Sequence, residues 1–300
     1  MDGILNINKP PGKTSFSIVA TVKRLSGERR VGHAGTLDPA ATGVLPVCLG
    51  RGTRIIEFLI NTTKMYLAEI ELGTTTDTYD GSGRIIGQAD ASGVTREEIE
   101  SVLGSFRGHI RQTPPMYSAV KYQGQPLYKL AREGIEIERK SRSISIHRLE
   151  LLSWQPPIIT LEIECSKGTY IRSLANDLGQ SLGCGGHLTN LVRTRCGFFD
   201  IKDSTSMSLL EDAFNYGYWE QFMQPMDTAL QHFEAIVVNS TTEENIRKGC
   251  PVLLEQRDDL VENGSHDNTY RRAYTSDGRF LGILYGTHDK SVWQPRKIFL

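Results

Sequence analysis

The sequence lacks the marks of several large protein classes. Its 300 residues include only five cysteines, Cys48, Cys165, Cys184, Cys196 and Cys250, an odd number with no C-x-x-C pair, so a disulfide framework is not expected. Cys184 and His187 stand three apart in GCGGH without a second Cys/His pair, and a structural zinc needs about four ligands, so they read as turn and core and no metal site is expected. No apolar run approaches the roughly 18 residues of a membrane helix. Met1-Asp2 opens without a basic and apolar leader. Together these lacks predict a reducing, cytoplasmic location and no membrane partner.

Net charge is also nearly absent, at −1, which excludes a uniformly basic nucleic-acid binder. The charge is nevertheless segregated: residues 1–60 and 102–200 carry nets of +4 and +5, while 61–101 and 201–300 carry −5 each. Such blocks fit a phosphate-binding face on a neutral body, although charge runs are more often plain solvated surface. Nucleotide loops are missing too. Gly12-Lys13-Thr14 has Ile7 where a phosphate loop needs glycine, and Gly81, Gly83 and Gly87 miss the dinucleotide spacing by one residue. Neither ATP nor NAD is implied.

What is present begins with a strand at Ile4 to Ile7, a turn at Lys9-Pro10-Pro11-Gly12, and a helix from Phe16 to Leu25 capped by Thr14-Ser15. Alternation predicts half-buried strands at Lys64 to Leu72 and Ile158 to Cys165. A 3.6-residue period predicts helices at Arg96 to Phe106 and Ile171 to Ser181, the latter entered through the turn Ser166 to Tyr170. Gln112 to Gln125, punctuated by Pro114-Pro115 and Gly124, predicts an exposed loop. After Asp227 short β-like runs at Ala235 to Val238, Phe280 to Tyr285 and Lys297 to Leu300 predict a small all-β domain, with Glu255 to Asn268 as a solvated loop.

Three elements carry chemistry. Asp38 lies in Gly32-His33-Ala34-Gly35-Thr36-Leu37-Asp38-Pro39-Ala40-Ala41-Thr42-Gly43, between an apolar residue and a proline on a glycine-rich segment that lets backbone approach a ligand closely. Alone, it reads more readily as an Asx-turn residue. Arg172 starts a helix after a glycine turn, where a guanidinium can reach back and grip a carboxylate bidentately. Tyr66, in Lys64-Met65-Tyr66, sets a phenol at a strand's start. Alone, each of these is more often structural.

In order and spacing, G-x-x-G-T-L-D-P-x-A-T-G, K-x-Y and S-K-G-T-Y-I-R-S-L resemble the TruB family of bacterial tRNA pseudouridine-55 synthases. Further similar segments are Asn8-Lys9-Pro10-Pro11-Gly12-Lys13-Thr14-Ser15, Gly73-Thr74-Thr75-Thr76-Asp77-Thr78-Tyr79-Asp80-Gly81 and Pro114-Pro115-Met116-Tyr117-Ser118-Ala119-Val120-Lys121. The resemblance spans roughly residues 3 to 200. It departs at Ser17, where an acidic residue is common, and at Val192, which interrupts a usual arginine pair.

The resemblance implies an α/β (α+β) pseudouridine synthase fold, with a mixed central sheet flanked by helices in residues 1–232. It also implies an RNA-binding insert at about 112–142 and a small β-barrel-like PUA domain at 233–300. Asp38 would be the catalytic aspartate, Tyr66 the tyrosine against the target base, and Arg172 the partner of the aspartate. His33, Leu191, Tyr170, Lys9, Pro10 and Asp80 would lie on the substrate side. Lys9, Lys13, Lys23, Arg24, Arg29, Arg30, Arg111, Lys121 and Lys129 are candidate phosphate contacts.

The implied reaction isomerises the T-loop uridine of tRNA, with no cofactor, in a monomer that needs no protein partner. It exchanges a C–N for a C–C bond between the same two groups, and a carboxylate nucleophile suffices, attacking either the ribose or the ring. Two alternatives stay open: a guide-RNA-dependent synthase of the same superfamily, and a tRNA-binding folding factor.

Overall fold

The computed structural model describes residues 1–254, 270–287 and 291–299. The expected loop at Glu255 to Asn268 lies outside the described residues.

The chain is a mixed α/β protein around one large sheet. The principal strand order is Thr205–Ser206, Gly3–Lys9, Thr42–Leu49, Gly186–Cys196, Lys64–Leu72, Ile158–Cys165, Arg142–Gln155 and Gly108–Gln112. Thr42–Leu49 and Gly186–Cys196 run parallel, with Arg193 beside Gly43, whereas Gly186–Cys196 and Lys64–Leu72 run antiparallel, with Arg193 opposite Tyr66. Gly43, Arg193 and Tyr66 therefore stand in one row across the middle of the sheet.

Alternation explains the two faces. Leu5, Ile7, Leu45, Val47, Tyr66, Ala68 and Ile70 join one core with Ile18 and Val22 of the helix Ser15–Ser26 and Ile171, Leu174 and Leu178 of the helix Ile171–Ser181. Ile4, Val44 and Cys48 point the other way and pack with Ile55, Phe58, Leu59, Phe199, Phe233, Ile283 and Phe299. Each fully buried aliphatic or aromatic side chain contributes roughly 1.5–3 kcal/mol to that closure. The first helix is held at its N-terminus by the Thr14 side chain, which accepts from the Ser17 N–H at 3.0 Å, and at its C-terminus by Gly27 at φ +70°. Arg96–Gly104 starts in a Thr95/Glu98 capping box. Both strands read from alternation and the helices at 16, 96 and 171 stand where the sequence predicted them, within two residues at each end.

Three expectations need correction. Gln112 to Gln125 is not an exposed loop throughout: Gln112, Pro114, Pro115, Met116 and Ser118 are buried, while Thr113 and most of the stretch from Ala119 onward are exposed. Prolines have no N–H to leave unsatisfied, so their pairing suits burial as well as exposure. In the C-terminal part, five strands pair in the order Glu234–Val237, Tyr270–Tyr274, Phe280–Gly286, Val292–Ile298 and Val252–Leu253, but the helix Ser240–Arg247 interrupts what was expected to be all β. The last described strand ends at Ile298 and does not start at Lys297. Among the described residues no helix is long and apolar enough to cross a membrane.

Candidate active site

The loop between Val31–His33 and Thr42–Leu49 carries Asp38, and its neighbours hold its backbone from below. The buried Ser15 hydroxyl donates to the Leu37 carbonyl at 3.2 Å and accepts the Leu37 N–H at 2.9 Å. The Ala41 N–H closes a turn on the Asp38 carbonyl, and the Gly12 N–H reaches the Pro39 carbonyl. The Asp38 carboxylate thus projects from a braced turn, with 43% of its side chain open.

Arg172 closes the other side. Its Nε lies 2.8 Å from one Asp38 oxygen and its Nη2 3.3 Å from the other, a bidentate pairing. Nη2 also donates to the Tyr117 carbonyl at 2.8 Å, and Nη1 reaches the Thr78 carbonyl and Asp80 Oδ2, each at 3.4 Å. The guanidinium is 7% exposed, so it sits at the floor while the carboxylate faces the mouth. Asp80 is fixed in turn by Thr78 Oγ1 at 2.7 Å and by the Ser82 N–H and hydroxyl. Tyr79, at φ +64°, turns the chain there, and its carbonyl accepts the Leu188 N–H at 3.0 Å.

Electrostatics follow from these contacts. Burial pushes Asp38 above the ordinary carboxylate range; the Arg172 charge pulls it back, Asp80 adds to the rise, and the bonds from Arg172 and the charge of Lys9 lower it further without cancelling the rise. The guanidinium therefore offsets desolvation but does not reverse it. Tyr66 is pushed up to about 12 by burial, against a lowering by the charge and hydrogen bond of Arg193. Burial and then the Arg193 charge bring His33 below its usual range, so its ring is neutral at pH 7.

Of the remaining sequence candidates, Leu191 is buried in the same cluster as Leu37 and Tyr66. The backbone of Tyr170 exchanges two hydrogen bonds with the Gln112 side chain, at 2.8 and 3.0 Å, which ties the start of the Arg172 helix to the Pro114 wall. Ser173 Oγ donates to the Thr113 carbonyl and adds a second tie. Lys9 is not on the open side. It is fully buried, and its ammonium donates to the carbonyls of Pro10, Lys13 and Pro39, so it is a strut beneath the turn and not a phosphate contact. Pro10 is half-buried and serves that strut through its carbonyl. The other eight candidate phosphate contacts are exposed.

Arg193 was missed as a functional candidate. Its Nε donates to the Val44 carbonyl at 2.7 Å and its Nη2 to the Gly35 carbonyl at 3.1 Å, spanning the two ends of the Asp38 loop. A period-two count from Leu191 puts it on the inward face, the signal that would have found it. A cleft of about 450 Å³ lies elsewhere, lined by Phe58, Phe198, Phe233 and Tyr270 among others, and no site residue lines it.

Residues 23–171 match the TruB family pseudouridylate synthase N-terminal domain, and residues 172–231 match the tRNA pseudouridylate synthase B C-terminal domain. The chain belongs to the TruB family. Similar relatives include tRNA pseudouridine synthase B of Dehalococcoides mccartyi strain CBDB1, 46% identical over all of this chain and 97% of that protein. The enzyme of the same name from Clostridium kluyveri is 42% identical over 94% of this chain and 95% of its own. Among solved structures, a Cbf5-Nop10-Gar1 complex matches with a TM-score of 0.74 at 24% identity, covering 99% of this chain and 85% of that one. This last likeness is one of fold.

Proposed function

We propose that the chain is a tRNA pseudouridine synthase that isomerises uridine 55 in the T-loop, with Asp38 as nucleophile. The observation that carries the proposal is the carboxylate of Asp38, gripped bidentately by a buried guanidinium on one side and open to the mouth on the other. The similarity to synthases named for tRNA, full-length at 46% identity, favours a stand-alone enzyme over a guide-RNA-dependent one.

In the reaction, the C–N glycosidic bond breaks, the uracil turns, a C–C bond forms at C5, and the C5 proton leaves. Asp38 attacks the ribose or the ring, and Arg172 keeps it oriented and favours its anion. The target nucleotide must leave its stack, at a cost of a few kcal/mol. Tyr66 then offers its face to the everted base and its oxygen to the departing C5 proton, while Leu191 keeps water from the ring. Asp80 acts behind Arg172. The exposed part of the insert at 112–142 and the PUA-like unit from 233 lie along the tRNA. The enzyme works as a cytoplasmic monomer without an obligatory protein partner.

Asp38→Ala abolishes tritium release from C5-labelled uridine in tRNA, while affinity for tRNA stays within roughly tenfold. Turnover by the variant at the wild-type rate would refute the role of Asp38. Normal affinity together with no release by the wild type would favour a folding factor.

A further inference from the structure

Arg193 is the bulkiest fully buried side chain, 1% exposed, and among the described residues it makes no ion pair with a carboxylate. A buried charge without a counter-ion is costly, and an apolar side chain of similar volume packs the same space without that cost. What the guanidinium reaches explains its presence: the carbonyls of Gly35 and Val44, which bracket Asp38, from a strand position directly opposite Tyr66. Gly43 lets the two strands approach at this point, since a Cβ there would strike the Arg193 backbone.

Resting on the pseudouridine synthase reading, we infer that Arg193 is a positioning residue that braces the Asp38 loop and, from the strand position opposite Tyr66, supports the phenol oxygen as it exchanges its own proton for the C5 proton. In that step the C5–H bond breaks, its electron pair returns to the ring, and the proton joins the Tyr66 oxygen as the phenol passes its own proton on to solvent. The other groups that influence Tyr66 are Cys165 and Cys196, which oppose the phenolate. Lys9, His33 and Lys64 share the field of Arg193, and burial pulls each of them toward its neutral form. Arg193 therefore supplies the cationic support of the phenol.

The test uses full-length Arg193→Lys and Arg193→Gln, with single-turnover tritium release at saturating tRNA, separate tRNA affinities, and ¹⁹F NMR titration of 3-fluorotyrosine placed at position 66. Release slows by about 100-fold or more in Arg193→Gln, and less in Arg193→Lys. Affinity stays within about threefold in both. The fluorotyrosine midpoint moves up by about one pH unit in Arg193→Gln, which a merely structural arginine would not cause.

Wild-type release rates in either variant, or slower release with an unmoved midpoint, overturn the inference. If neither variant folds, the wild type still decides: a position-66 resonance that titrates like the free amino acid contradicts a buried phenol opposite Arg193. Tritium release by Asp38→Ala would bring down the underlying reading, whereas an inactive Asp38→Ala beside unaffected Arg193 variants brings down this inference alone.

Discussion

Asp38 carries a charge that its surroundings accept only in part. Burial is the largest influence and raises its carboxyl above 3.8, the Arg172 charge opposes it, and Asp80 reinforces the rise. A carboxyl raised in the fold stabilises it most below the unfolded value and loses that contribution as pH rises through the folded value. Ionised Asp38 therefore works against the fold at neutral pH, as expected of a side chain kept for chemistry. For activity under the proposed mechanism the direction reverses, because there it is the carboxylate that attacks. Turnover is lost as pH falls through the raised value, so the acid limb lies above the ordinary aspartate range. Arg172→Gln removes both lowering contributions of the guanidinium; it moves that limb to higher pH and slows the plateau by about 10²–10³-fold. Single-turnover tritium release between about pH 4.5 and about pH 8 measures both effects. A limb that stays in place would mean that Arg172 does not hold the Asp38 charge.

At the scale of elements, the site depends on how the Asp38 loop re-enters the sheet. Gly43 lies at φ +97° with its missing Cβ directed at the Arg193 backbone, whereas Gly12, at φ +76°, has nothing within 4 Å of that position. Gly43→Ala therefore meets conformational strain and a collision, and lowers stability by roughly 3 kcal/mol or more. Gly12→Ala meets the strain alone, at about 1 kcal/mol. Denaturant unfolding of both variants checks the contrast, and equal losses would show that the close approach of the two strands is not needed.

The same elements show what could be read from sequence. Lys64–Leu72 and Ile158–Cys165 were legible because each is buried on one face, and Ile171–Ser181 because its apolar side keeps a helical period. Asp38 and Arg172, each more readily structural when read alone, became legible through the motifs that resemble the family, and the fold brings them together. Lys9 and Arg193 were not: Lys9 turns inward onto the carbonyls of its own turn, Pro10 and Lys13, and of Pro39 thirty positions on, and Arg193 is satisfied by carbonyls about 150 positions away, pairings no local pattern encodes. Pro114 to Ser118 hid for a related reason: its burial depends on Gln112 and Thr113 finding Tyr170 and Ser173.

Across the whole molecule, the C-terminal sheet is built onto the synthase body. Phe233, Ile283 and Phe299 fill the core that Ile4, Val44, Cys48 and Phe58 present from the far face of the main sheet. Arg54 donates to the Ile298 carbonyl at 2.7 Å and lies over the Phe299 ring, and Lys297 meets Glu57 at 2.7 Å. Folding units that share a buried apolar core do not melt separately, in contrast to domains joined through small polar interfaces. The full chain is therefore expected to unfold in a single calorimetric transition whose calorimetric and van't Hoff enthalpies agree. A chain cut after His232 would expose Phe58, Ile55 and Leu59 to water, and would melt earlier and aggregate, even though every residue of the Asp38, Tyr66 and Arg172 cluster remains. Two resolved transitions, or a soluble 1–232 fragment with an unchanged melting temperature, would show instead that the tail is a separate module and that the synthase core closes without it.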